Sequence, residues 1–226
     1  MPRHKDFWDR FCTRMQIYES GVPLFSYDEN LVVPTKVIGV KAKRLVLCRN
    51  PKMDRMILSE TDKLILDWKL HTDLLDGLIY VMFLKESGSV LPLYIGKAET
   101  IGKGERNLSA NITNLHLDKT KFARWGDNYA YHIGDLSAAV LPGHRGGRST
   151  EKYRNWATVL FEEFPTEKPK LKQQTFFWAT AWRKDNVGIW EGFGSTRLTF
   201  LEYLMIGVAS SAFPGMLLNR EGQNRG

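Results

Sequence analysis

The sequence predicts an α+β protein in which a small central sheet, mixed or antiparallel, is flanked by helices. Three observations carry that prediction. Two short apolar runs, Leu78–Leu84 and Val90–Ile95, are joined by a polar, glycine-bearing connection, the pattern of a hairpin. The stretch "QTFFWATAW" is aromatic and β-branched, as a strand favours. Around these runs, apolar residues recur at helical spacing.

The elements follow in chain order. Phe7, Phe11, Met15 and Tyr18 mark one face of a helix over Phe7–Glu19, ended by Gly21-Val22-Pro23. "LVVPTKVIGVKAKRLVLC" reads as strands rimmed with lysine and arginine. A helix follows through "KLILDWKLHTDLL" to Asp76-Gly77, with Ser59 or Thr61 as its cap and acids in the first turn. In the hairpin, Leu78, Tyr80, Met82 and Leu84 share one face, and Ile79, Val81 and Phe83 the other. Both faces are apolar apart from one hydroxyl, which predicts a strand buried within a sheet. Lys85–Ser89 connect it to the second strand, Val90–Ile95, which Gly96 is expected to end. A polar loop with Gly102 and Gly104 leads to a helix starting near Asn107-Leu108-Ser109.

"KFARWGDNYAYHIGDLSAAVLPGHRGG" then mixes aromatics with Arg124, Asp127 and His132, closing in a glycine-rich loop expected to be flexible. "TEKYRNWATVLFEEF" has helical spacing, and "PTEKPKLKQ" is a basic, proline-punctuated linker. After the "QTFFWATAW" strand, Thr196–Thr199 lead into a last helix, about Thr199–Phe213, broken by Pro214-Gly215.

Composition bounds the function. The chain has 226 residues, enough for one large domain or a compact domain with an elaborate extension. At 43% hydrophobic and 25% charged it is globular rather than disordered. A net charge of +7 and a pI near 9.4 suit a polyanionic partner. Cys12 and Cys48 are far apart and form no C-x-x-C, so neither structural zinc nor a disulfide framework is expected, and reduced thiols fit a cytoplasmic protein. "MPRHKDFWDRF" lacks the apolar core of a signal peptide. "LTFLEYLMIGVASSAF" carries Glu202 and is too short and interrupted to cross a membrane, so no membrane partner is expected.

Two features ask for chemistry. Tyr80 and Tyr94 occupy matching places on the hairpin, with Lys97 just beyond; packing residues need no hydroxyl there. Glu202 sits in a helix apolar nearly all round, so it either faces water or must be protonated, paired with a cation or bound to a metal. The histidines show no H-E-x-x-H spacing. "GKAETIGKG" has the wrong glycine spacing for a phosphate-binding loop, and Gly104 follows Lys103 where Ser or Thr belongs, so no nucleotide cofactor is expected.

Leu78-Ile79-Tyr80 after Gly77, Tyr94-Ile95-Gly96-Lys97-Ala98, and a distant helix with Leu201-Glu202 followed by Asn219 together resemble the GIY-YIG nuclease superfamily. The resemblance spans residues 77 to about 220. The first motif is one residue longer than Gly-Ile-Tyr. It implies hydrolysis of phosphodiesters of double-stranded DNA with one divalent ion per site, Mg²⁺ or Mn²⁺, held by Glu202. It further implies a tyrosine base (Tyr80 or Tyr94, with Tyr80 favoured), an arginine on the scissile phosphate (Arg106 or Arg124), and bracing by Asn219. Lys97 is expected to favour tyrosine ionisation. The family often adds a histidine or tyrosine near the catalytic arginine; no residue here fits that place cleanly, and His116 and His132 are both candidates.

The resemblance makes residues 76–226 the nuclease domain, with an insertion at about 110–172. Residues 1–75 become an N-terminal α/β extension for DNA recognition or dimerisation. Such elaborations resemble those of Type II-like restriction enzymes, and a palindromic site would imply a homodimer. The alternatives are a structure-specific or repair nuclease and a DNA-binding module whose site has lapsed.

Overall fold

A computed structural model describes residues 4–38, 44–102, 107–117, 132–144 and 149–223. Its centre is a hairpin, β4 (Leu75–Glu86) and β5 (Ser89–Glu99). Both strands are longer than the sequence predicts, and the turn shrinks to Ser87-Gly88. β6 (Phe176–Arg183) pairs with the other side of β4, and the short β1 (Val22–Pro23) pairs with β6. The order is β1-β6-β4-β5, and every pairing is antiparallel. β2 (Thr35–Ile38) and β3 (Arg44–Leu47) form a separate two-stranded sheet.

The alternation of β4 divides the core in two. Ile79, Val81 and Phe83 join Trp8, Phe11, Leu201 and Met205, from helices α1 (His4–Arg14) and α7 (Leu198–Ala212). Leu78, Tyr80 and Met82 join Met53, Ile57, Leu136 and Trp156, from α3 (Pro51–Leu70), α5 (Ile133–Val140) and α6 (Glu151–Leu160). The sheet is therefore covered on both faces, as a strand apolar on both sides requires. Residues 1–75 supply β1 to this same sheet and two helices, α1 and α3, to its two faces.

Several boundaries differ from expectation for identifiable reasons. The first helix stops at Arg14, and a short α2 (Ile17–Ser20) follows, because Gln16 takes a left-handed conformation between them. α3 begins nine positions or so before the expected cap, because Asn50 Oδ1 accepts from the Lys52 amide at 2.9 Å and Pro51 occupies the first helical position. Ser59 and Thr61 lie mid-helix. The expected helix near Asn107 is α4 (Ala110–Leu117). Among the described residues no helix is long and apolar enough to cross a membrane.

Two glycines set the hairpin geometry. Gly77 sits at a bulge in β4 with φ of +149°, and a Cβ there would fall 2.2 Å from the Ala98 carbonyl oxygen. Gly96 does not end β5 but pairs with Tyr80, whose ring lies across it; a Cβ would meet Cε2, Cζ and Oη of Tyr80 at 2.6 Å. The glycine therefore makes the room in which Tyr80 packs.

Candidate active site at the β5 edge

β5 is an edge strand, so its outward amide and carbonyl groups need partners from elsewhere in the chain. They find them in α7 and the C-terminal segment. Leu218 N–H donates to the Leu93 carbonyl at 2.7 Å. The Asn219 amide straddles Ile95, accepting from its N–H at 3.0 Å and donating to its carbonyl at 2.8 Å. Glu202, one turn into α7, accepts from the Lys97 amide. Asp76 fixes the start of that helix: its carboxylate accepts from Arg197 Nε and Nη2, each at 2.5 Å, and from the Leu198 amide at 3.2 Å. Tyr94, Glu202 and Asn219, spread over more than half the chain, thus meet on one short piece of strand.

Tyr80 and Tyr94 lie on one face of the hairpin with ring centroids 6.4 Å apart. Tyr80 is the deeper, 3% exposed and packed on Phe177; Tyr94 is half-buried. Burial first, and then the charge of Glu202, push the Tyr94 phenol up to about 12. Burial also raises the Glu202 carboxyl, with Glu99 adding to the rise and Lys97, by charge and by its amide, opposing it.

Lys97 does not stand beside the phenols. Three residues from Tyr94 is an odd offset in a strand, which turns its side chain to the opposite face, where it pairs with Glu99. The expectation that it favours Tyr94 ionisation is therefore corrected: what shifts that phenol is burial and Glu202. Glu99 is itself held below the usual carboxylate range, by Lys97 first and also by Thr199, although burial opposes this.

His132 joins the site from the start of α5. It precedes α5 in a left-handed conformation and meets the Tyr94 ring edge-on at 5.7 Å. Its Nδ1 lies 2.6 Å from the Tyr153 hydroxyl, and that hydroxyl also bonds Asp135. Asp135 accepts, so the Tyr153 proton points to it and His132 carries its own proton on Nδ1. Burial keeps the imidazole neutral, its pKa well below the usual value, with Lys152 adding to the shift. Arg106 and Arg124 lie outside the described residues, and so does the side chain of His116, whose backbone belongs to α4.

Sequence reasoning missed the contribution of α6. Trp156 packs 4.8 Å from the Tyr94 centroid, and Lys152 places its ammonium 4.9 Å above the same ring. The run "EKYRNW" shows an amphipathic helix, but nothing in its spacing points to β5. Lys152, Asn219 and Arg220 line a cleft of about 430 Å³.

A single half-buried carboxylate suits a hard divalent ion that keeps most of its waters. Among the described residues no group of three or more His, Cys, Asp or Glu side chains could hold a metal. A second cleft, of about 500 Å³, lies where β5 ends and holds Asp67, Asp73, Asp76 and Glu99. Those four carboxylates already have partners, in Thr72, Lys184, Arg197 and Lys97 respectively, so the cleft reads as a braced loop. No protein-family model, curated protein or solved structure matches this chain.

Proposed function

We propose that this protein is a metal-dependent endonuclease acting on double-stranded DNA, with the character of a Type II-like restriction enzyme. The observation that carries the reading is that Tyr94, Glu202 and Asn219 meet on one stretch of β5, with Tyr80 of β4 beside Tyr94. These are the residues that the resemblance to GIY-YIG nucleases singles out, and packing alone does not require a carboxylate and two phenols together. The net charge of +7 supports a polyanionic substrate.

Glu202 is the residue that would hold Mg²⁺ or Mn²⁺; a divalent ion there supplies positive charge for the dianionic transition state and an electrophile for the leaving oxygen. Tyr94 is the more open of the two phenols and is the one that would take the proton of an attacking water; Tyr80, locked over Gly96, fixes the Tyr94 ring from behind. Tyr94 accepts a proton only once its phenol is ionised, and neutralising Glu202 removes one of the two causes that hold its pKa high. Asn219 keeps β5 in register, and His132, neutral and donating to Tyr153, sets the Tyr94 ring from the other side.

The test is cleavage of phage or plasmid DNA with Mg²⁺, with EDTA as control, repeated with Glu202→Ala. Discrete fragments that disappear in the variant are expected. Equal cleavage by Glu202→Ala would sink the assignment. Nicking confined to branched or damaged DNA would instead indicate a structure-specific nuclease, and binding without cleavage a lapsed site.

A further inference from the structure

The helix of the insertion brings a cation to the site that neither tyrosine strand nor the glutamate helix supplies. Lys152 Nζ stands 4.9 Å from the Tyr94 ring centroid and 5.4 Å from those of Tyr153 and Trp156. Three aromatic faces hold the ammonium and its stem in place. Rings satisfy the charge without accepting its N–H groups in the manner of an oxygen. Among the described residues no carboxylate pairs with Lys152, and no oxygen accepts from its amine. The half-buried side chain lines the 430 Å³ cleft with Asn155, Asn219 and Arg220. Arg220 carries a second positive charge there, tied to Glu151 at 3.0 Å. Burial lowers the Lys152 pKa, and repulsion from Arg220 lowers it further, with Asp135 opposing. A fixed ammonium, desolvated and beside a like charge, is in the state that a bound anion relieves.

We propose that this cleft is a phosphate subsite, in which Lys152 Nζ donates to a backbone phosphate oxygen of DNA lying along the β5 edge. The proposal rests on the nuclease reading for the identity of the polyanion, but the site itself is a property of the free protein. The cleft is much larger than a single phosphate and suits a length of sugar–phosphate backbone. Lys152 is a strand-gripping residue: the contact positions the backbone and carries no base information. Its location beside Tyr94 and Asn219 puts the gripped phosphate next to the site of cutting.

Two measurements test this, both without turnover. In EDTA, binding to a duplex of arbitrary sequence is followed against salt concentration. Lys152→Met keeps the stem over the rings and removes the charge. It is expected to flatten the slope of log K against log [salt] by about one unit, whereas Lys152→Arg retains the slope. In the absence of DNA, inorganic phosphate at ionic strength matched with chloride is expected to raise the Tm of the wild type and of Lys152→Arg but not of Lys152→Met. An unchanged salt slope in Lys152→Met overturns the subsite, as does a phosphate-dependent rise in Tm that survives in that variant. A phosphate shift that needs Lys152, in a protein that cuts no DNA, upholds the subsite and defeats the nuclease reading instead.

Discussion

Replacing Gly96 by alanine tests how the two halves of the hairpin are coupled. The added Cβ would sit 2.6 Å from Cε2, Cζ and Oη of Tyr80. Carbon atoms rest at about 3.5–4.0 Å, so the ring has to withdraw by roughly 1 Å or the strands have to part. Withdrawal is obstructed, because Phe177 lies at 5.9 Å and Tyr94 at 6.4 Å, centroid to centroid, in a core where Tyr80 is 3% exposed. Overpacking of this kind costs about 1–3 kcal/mol. The assay is urea denaturation at constant m, in a double-mutant cycle with Tyr80→Leu, whose side chain ends short of the clashing atoms. In the Tyr80→Leu background, Gly96→Ala is expected to be neutral or to stabilise, since glycine weakens a strand interior. The coupling energy is then about 1–3 kcal/mol, the whole of the overpacking cost. An equal loss from Gly96→Ala in both backgrounds would refute the reasoning, because the glycine would then be serving the backbone and not the Tyr80 ring.

Two further predictions concern the cap on β5. Glu202 has its pKa raised by burial, so its ionised form is penalised in the metal-free fold; that penalty sets in as pH rises through the folded-state pKa, which lies above 4.5. Glu202→Gln keeps an acceptor for the Lys97 amide. It is expected to match or exceed the wild-type Tm at pH 7 without Mg²⁺ while losing cleavage, and a marked fall in Tm would show that the carboxylate is held by a stronger pairing than the structure contains. Asn219→Asp can still accept from the Ile95 amide but sets a carboxylate against the Ile95 carbonyl, where the wild-type amide donates at 2.8 Å. It is expected to lose about 1–3 kcal/mol in urea titration, no less than Asn219→Ala, and wild-type stability in the aspartate variant would mean that this donation contributes nothing.

The hairpin was legible because a strand has period two. Apolar residues on both faces of Leu78–Leu84 identify a buried strand, and the identical parity of Tyr80 and the other even-numbered residues puts them on one face. The same parity shows why Lys97 fails as a partner for Tyr94, three residues away. The start of α3 was written in Asn50-Pro51, but the acids after Ser59 resemble a first turn just as well, and local pattern does not rank the two. Glu202 and Asn219 could be named from the resemblance, yet their hydrogen bonds to Lys97 and Ile95 could not. Contacts between an edge strand and a segment more than a hundred residues on leave no periodic trace. Lys152, Tyr153 and Trp156 were illegible for the same reason: an amphipathic helix shows which face it buries but not against what.

The cap on β5 also governs what can happen to the sheet from outside. An exposed edge strand invites another chain to add to it, whether in a dimer or an aggregate. Here the Leu93 carbonyl, both backbone groups of Ile95 and the Lys97 amide are already taken by Leu218, Asn219 and Glu202, and the opposite edge, β1, is only two residues long. The middle of the β5 edge is therefore blocked to an added strand. A second copy that associates with this protein cannot add a strand over that stretch. The same residues that complete the candidate active site keep its strand from becoming a template.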